Sequence, residues 1–256
     1  MSESPRIYPY PYNIKLVIEY DGSHFHGWQK QPKVVTVQSE LERVLKIAVH
    51  TEEISTLRAA GRTDSGVHAT GQVINFYCKE IPDLPRLKHA VSSLLKNQLS
   101  VISAEVVPQD FHALHSAKGR VYEYRMLNRA APPTIDLGKV LHVTANLDIE
   151  KMQKHAETLE GVHDFTSFRG AKCMSATPVK TIFSSKIIIS GDELIYQVHG
   201  KGFLKQMVRN IVGTFLDLQK SNFWTDDIVA VLNAMDRRKA GVTAPAFGLY
   251  LREVFY

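Results

Sequence analysis

The sequence predicts an α+β fold in two similar-sized halves, built on a largely antiparallel sheet. Three observations carry that expectation. Segments that alternate apolar and polar residues recur along the chain and are interspersed with stretches whose apolar residues sit three and four apart. Strands follow strands as well as helices, so hairpins are mixed with crossovers. The 256 residues exceed one typical domain of roughly 150 residues, which fits one large domain or two closely packed halves.

Taken in order, residues 1–12 hold Pro5, Pro9 and Pro11 among Tyr8, Tyr10 and Tyr12 and read as a loosely ordered tail. Ile14, Leu16, Ile18 and Tyr20 alternate with Lys15, Val17 and Glu19, which makes a strand, and Asp21-Gly22-Ser23 turns it. Thr36 is placed to cap a helix whose stripe is Val37, Leu41, Val44, Leu45 and Ala48. A short strand at 55–58, a strand at 73–77, a helix through Leu84, Leu87, Val91, Leu94 and Leu95, and a strand at 101–107 follow. The order β-α-β-β-α-β resembles a ferredoxin-like unit, assigned to 13–110. In the second half, 111–256, strands are expected at 121–127 and 139–143, the second as partner of the first. Asp148 caps a helix to about 159. Strands 181–189 and 193–199 form a hairpin turned by Ser190-Gly191-Asp192. A helix from Phe203 to Phe215 is apolar around much of its circumference, Thr225 caps a shorter one to Met235, and 249–254 is the last strand.

Composition removes several function classes. Hydrophobic residues at 44% and charged residues at 22% are ordinary for a globular chain able to bury a core. The net charge of +5 permits an anionic partner such as nucleic acid without requiring one. No apolar run approaches the roughly 18 residues that span a bilayer, and the first residues lack the apolar segment of a secretory signal. Cys78 and Cys173 stand far apart, which provides neither a disulfide framework nor a four-cysteine zinc site. The expectation is a cytoplasmic protein without membrane contact.

Three segments concentrate chemistry. In Gly61-Arg62-Thr63-Asp64-Ser65-Gly66-Val67-His68-Ala69, two glycines bracket a cation, two hydroxyls and a carboxylate, a loop able to hold a carboxylate beside a polyanion. A polar turn is the commoner fate of such residues. In Gly119-Arg120-Val121-Tyr122-Glu123-Tyr124-Arg125, a strand puts Arg120, Tyr122 and Tyr124 on one face. That suits a base against an aromatic ring with phosphate nearby, though a core-facing aromatic strand has the same spacing. In 200–210, Arg209 and Asn210 interrupt an apolar helix. Arg209 either snorkels to solvent or pairs with a site carboxylate.

Together these segments resemble the TruA family of tRNA pseudouridine synthases. The first is similar to the family signature G-R-T-D-[AS]-G-V-H-A, the second to its Arg-x-Tyr-x-Tyr strand, and Phe203 to Gly213 to its F-x-x-x-M-V-R-N-[IM]-V-G helix. Tyr20-Asp21-Gly22 with Phe25-His26-Gly27-Trp28-Gln29, and His163-Asp164-Phe165-Thr166-Ser167-Phe168, are further matches, and the order holds from about Ile14 to Leu251. The resemblance implies a pseudouridine synthase fold: two ferredoxin-like halves in a continuous mostly antiparallel sheet, with helices packed on it and a central cleft. It implies isomerisation of uridine to pseudouridine in the anticodon stem-loop of tRNA, positions 38–40, by a homodimer that binds tRNA across both subunits. It also implies Asp64 as catalytic aspartate, Arg62 as the arginine that helps displace the target nucleotide, Tyr122 as the uracil-stacking tyrosine, and Arg209 as the cation paired with Asp64. Arg120 and Lys205 would help hold the RNA, alongside Lys30, Lys118, Arg169, Lys172 and Lys201. Ser65, where Ala is commoner, and Val121 and Glu123, where many members carry Arg, spare these positions and leave the RNA surface slightly less basic.

The reaction is redox-neutral overall, and the sequence has no Walker loop and no GxGxxG at a strand–helix junction, so no metal and no nucleotide or other cofactor is expected. Three routes stay open for Asp64: addition to C6 of uracil, attack at C1′ of the ribose, or removal of a C2′ proton. Other readings are a synthase acting on a different RNA uridine, a catalytically silent tRNA-binding protein, and a metal-dependent hydrolase using His24-Phe25-His26 or His112-x-x-His115. The last lacks HExxH and a convincing carboxylate ligand.

Overall fold

A computed structural model of the chain describes residues 10–49 and 52–256. Within them, 10–117 with Tyr256 make one compact unit and 118–255 another. The expected tail lies outside the described residues over 1–9, and Tyr12 already belongs to a strand.

In the first unit β1 (Tyr12–Tyr20) is central because Ile14, Leu16 and Ile18 are fully buried. It pairs antiparallel with β3 (His68–Cys78) on one side and β4 (Leu99–Val107) on the other, and β2 (Arg58–Ala59) lines the far side of β3. The crossovers are α1 (Val37–Ala48) and α2 (Leu84–Leu94). The order β4-β1-β3-β2 is the ferredoxin-like one. Thr36 caps α1: its hydroxyl accepts from Ser39 N, and its own N–H donates to Ser39 Oγ. Asp83 caps α2 by accepting from Arg86 N.

β3 begins at His68, well before the expected 73. Nearly all its residues are buried, so the alternation that marks a half-exposed strand is absent. The boundary also moves, from 110/111 to 117/118. Asn13 Nδ2 donates to the carbonyls of Pro108 and Phe111, and Asn75 Oδ1 accepts from Ala113 N, which fastens this stretch to β1 and β3.

The second unit repeats the plan. β5 (Gly119–Asn128) is central, antiparallel to β10 (Leu249–Phe255) and β9 (Glu193–Gly200), and β8 (Val179–Ser190) follows β9. With α3 (Ile149–Thr158) and α4 (Met207–Asp217) as crossovers, β10-β5-β9-β8 is again the ferredoxin-like order. The short β6 (Leu141–Val143) runs parallel to the end of β5, and β7 (Gly161–Asp164) adds an edge beyond β8. β7 was not anticipated, since its residues are exposed or half-buried and show no apolar alternation. The fold is α+β, as expected.

Two helix boundaries differ from expectation. α4 starts at Met207, not Phe203, because Gln206 sits in the left-handed region (φ 60°), which a helix interior excludes. The last helix, α5 (Ile228–Asn233), is capped by Asp227, not Thr225, whose hydroxyl instead accepts from Asp227 N; Met235 at φ 47° lies past its end. No helix among the described residues is long and apolar enough to cross a membrane.

Candidate active site

The Asp64 loop joins β2 to β3 and is gripped by the chain that follows β1. Ala60 N donates to Val73 O at 2.8 Å and Gln72 Nε2 to Gly61 O at 2.8 Å, which fixes the near end. Trp28 N donates to Thr63 O at 3.0 Å, and the hydroxyls of Tyr20 and Thr63 share a buried hydrogen bond of 2.8 Å. Val67 N donates to Asp64 O at 3.2 Å, closing a turn in which Gly66 takes φ 79°. Gly22 N donates to Nδ1 of His68 at 3.0 Å, and the Asp21 carboxylate lies 3.2 Å from the same nitrogen.

The glycines of the 20–28 segment are close-approach positions. A Cβ at Gly22 would lie 2.1 Å from Val67 O. One at Gly27, where φ is +84°, would lie 2.8 Å from Thr63 O. The loop thus buries Thr63, leaves Asp64 half-buried and leaves Arg62 exposed. A long cation and a carboxylate are presented from a backbone that is tied down on both sides.

In the second unit, β5 separates its two tyrosines by role. Tyr122 is 8% exposed, with its ring 5.0 Å from that of Phe203 in an edge-on contact. Phe203, expected in the helix, lies in the loop before α4 and backs this tyrosine. Tyr124 is fully buried, and its hydroxyl donates to Pro245 O at 2.9 Å. Burial pushes its phenol above the usual range, against the opposing pull of the Arg209 guanidinium. Both tyrosines are buried, Tyr124 completely, while Tyr122 keeps slight exposure.

Arg209 is half-buried in the first turn of α4. Its Nε donates to Ala244 O at 2.7 Å, and its own carbonyl accepts from Ala244 N at 3.1 Å. The guanidinium is anchored to the chain; it does not snorkel free. Its neighbour Asn210, fully buried, donates to Phe168 O and accepts from Arg237 and Thr243. The His163–Phe168 motif is thereby tied to α4. Arg237 carries no signal of its own in the sequence; Asn210, interrupting a mostly apolar helix beside Arg209, is the one pointer to this network.

Arg120 is buried, with Nη1 donating to Lys201 O at 2.8 Å. Lys205 is exposed; its N–H donates to Cys173 Sγ at 3.4 Å, and its carbonyl accepts from Gly170 N. Lys30, Lys118, Lys172 and Lys201 are exposed, and Lys30 also pairs with Glu42 at 3.1 Å. The rings of His112 and His115 lie 4.3 Å apart, tilted by 51°. Among the described residues no group of three or more His, Cys, Asp or Glu side chains is arranged to hold a metal ion.

A family model described as tRNA pseudouridine synthase matches residues 16–115 and 155–256. The chain is 41% identical over 245 residues to tRNA pseudouridine synthase A of Anaplasma phagocytophilum (strain HZ), covering 94% of this chain and 99% of that one. It is 39% identical over 244 residues to the protein of the same name from Acetivibrio thermocellus, covering 95% and 99%. It is 41% identical over 243 residues to that of Caulobacter vibrioides (strain NA1000 / CB15N), covering 94% and 98%. A solved archaeal box H/ACA sRNP Nop10–Cbf5 complex is distantly similar, at a TM-score of 0.34 and 11% identity over 88% of this chain and 59% of that chain.

Proposed function

The chain belongs to the tRNA pseudouridine synthase family, and as such is an isomerase that converts uridine to pseudouridine in tRNA; we propose that it acts in the anticodon stem-loop, at positions 38–40, with Asp64 as the catalytic carboxylate. The observation that supports this reading is the tethered loop, which presents Asp64 beside an exposed Arg62 from a backbone held by residues 20–28.

In the reaction the N1–C1′ bond of uridine breaks, the base turns, and C5 bonds to C1′; C5 gives up its proton and N1 takes one up. The target base is stacked in its stem, so it must first be flipped out. Arg62, long, planar and exposed, fills the space it vacates. Tyr122 offers a ring that holds the base through its rotation, backed by Phe203. Asp64 acts as a carboxylate in each of the three routes open to it: on C6, on C1′ or on the C2′ proton. Arg209 serves as its cation, and its own anchor on Ala244 restricts where the guanidinium can go. Arg120 and Lys205 contribute to RNA binding, Arg120 by supporting the 201 loop and Lys205 as an exposed cation. The same reading takes the enzyme as a cytoplasmic homodimer that needs neither metal nor nucleotide cofactor.

Asp64→Asn tests it. An amide keeps the shape but is a far poorer nucleophile and base. Tritium release from tRNA carrying 5-tritiated uridine should stop, while tRNA affinity stays within about twofold of the unaltered enzyme. Retained turnover would remove Asp64 from this role. Mapping pseudouridine in the product tRNA outside 38–40 would overturn the site assignment alone.

A further inference from the structure

We propose that Tyr20 is a positioning residue for the reaction, setting the place of Asp64 through a hydrogen bond to Thr63; the inference rests on Asp64 being the catalytic carboxylate. Thr63 is the residue immediately before Asp64. Its carbonyl is held by Trp28 N and its hydroxyl by Tyr20, at 3.0 and 2.8 Å. The first of these is a backbone contact that does not depend on the side chain at 28. The second exists only because residue 20 is a tyrosine and residue 63 carries a hydroxyl.

Several features single out this bond. Tyr20 is 4% and Thr63 7% exposed, so water does not compete for either hydroxyl. Tyr20 lies opposite Ala69, and the β1–β3 register shifts between Ile18 and Tyr20. An irregularity of this kind re-aims a side chain beside a functional loop. The Tyr20 ring also packs edge-on against Phe25 at 6.2 Å, which by itself would make it an ordinary core aromatic. The hydroxyl is what core packing does not explain. With the Thr63 carbonyl and hydroxyl both held, the residue before Asp64 has little freedom, and the carboxylate inherits that restriction. A displacement of about 1 Å in a reacting group costs on the order of a hundredfold in rate.

Tyr20→Phe keeps the ring on Phe25 and removes only the hydroxyl. We expect kcat for pseudouridine formation to fall by about ten- to a hundredfold, with KM for tRNA within about twofold. Thr63→Val should match it, and Thr63→Ser, which restores a hydroxyl, should recover most of the rate. The Tyr20→Phe/Thr63→Val double variant should be no slower than the slower single variant, because both remove the same bond. Wild-type kcat in Tyr20→Phe, a loss that appears in KM, a Thr63→Ser enzyme as slow as Thr63→Val, or fully additive losses would each overturn the proposal. Asp64→Asn is assayed alongside. If it turns over normally, the reading of Asp64 has failed; if it is dead while Tyr20→Phe is fully active, only the role of Tyr20 has.

Discussion

Replacing Gly213 by alanine should destabilise the protein, although it is a glycine-to-alanine change inside a helix. On propensity alone such a change gains up to about 1 kcal/mol. Gly213 is an interior residue of α4, and a Cβ there would lie 1.6 Å from Val242 O, 2.8 Å from Val242 C and 3.3 Å from Ala244 N. Carbon and oxygen in close contact stand about 3.3 Å apart, so the 242 backbone would have to retreat by well over an ångström. It is not free to do so. Val242 N donates to Asp217 Oδ2 at 2.9 Å, Gly241 N to Thr214 Oγ1 at 2.9 Å, and Ala244 N to Arg209 O at 3.1 Å. Losing two such bonds costs about 1 kcal/mol each, and the overpacking strain adds about 1–3 kcal/mol. Set against the propensity gain, the net loss is about 2–4 kcal/mol, a fall in Tm of roughly 4–16 °C for a chain of this size. Urea unfolding and a thermal scan would measure it. Ala244 also carries the carbonyl that anchors Arg209, so residual activity well below Tm should fall further than tRNA affinity does. A midpoint equal to or above that of the unaltered protein would refute the reasoning, since it would mean that the 242–244 segment yields without cost.

Two further outcomes follow from the second unit and from the cysteines. Tyr122→Leu should abolish turnover because the flipped base loses its platform; Tyr122→Phe separates the roles, staying active if the ring suffices and collapsing with tRNA binding intact if the hydroxyl takes the C5 proton, as single-turnover rates would tell. Burial pushes the Cys173 thiol up, but N–H donors from Lys205 and Ser175 and the Arg169 guanidinium outweigh it and leave the thiol below its usual range. Burial alone acts on Cys78 and pushes it up to about 11. Iodoacetamide at pH 8 should therefore label Cys173 in the native protein and reach Cys78 only on unfolding, and peptide mapping that finds Cys78 modified first would contradict this.

Much of the fold was legible because its signals are local. Thr36 and Asp148 cap the helices they were expected to cap, accepting from Ser39 N and Lys151 N. The Ser190-Gly191-Asp192 turn joins β8 to β9 where the alternation stops on either side. What escaped depended on contacts between distant residues. β3 looked shorter than it is because burial on both faces erases alternation, and α4 looked longer because Phe203 and Leu204 keep the helical spacing across a residue, Gln206, whose left-handed backbone ends the helix. Arg237 stayed hidden because nothing near it in sequence reports that Asn210, in another element, accepts from it.

The site shows the same division more sharply. Its residues were readable as chemistry, yet Gly22 read as an ordinary turn glycine. In the structure it has a steric duty toward another segment: its position admits no Cβ without displacing Val67 O, while Gly27 is pressed against Thr63 O. Those two carbonyls lie on either side of Asp64 in the chain. The residues after β1 and the Asp64 loop are therefore one mechanical object, assembled from two sequence segments that each look complete alone. Any side chain at 22 or 27 pushes on the backbone that carries the carboxylate, whereas loss of the Tyr20 hydroxyl releases that backbone. Crowding and release displace Asp64 by different means, so each should cost rate before it costs affinity. The carboxylate's position is thus set as much by what residues 20–28 lack as by the hydrogen bonds they make.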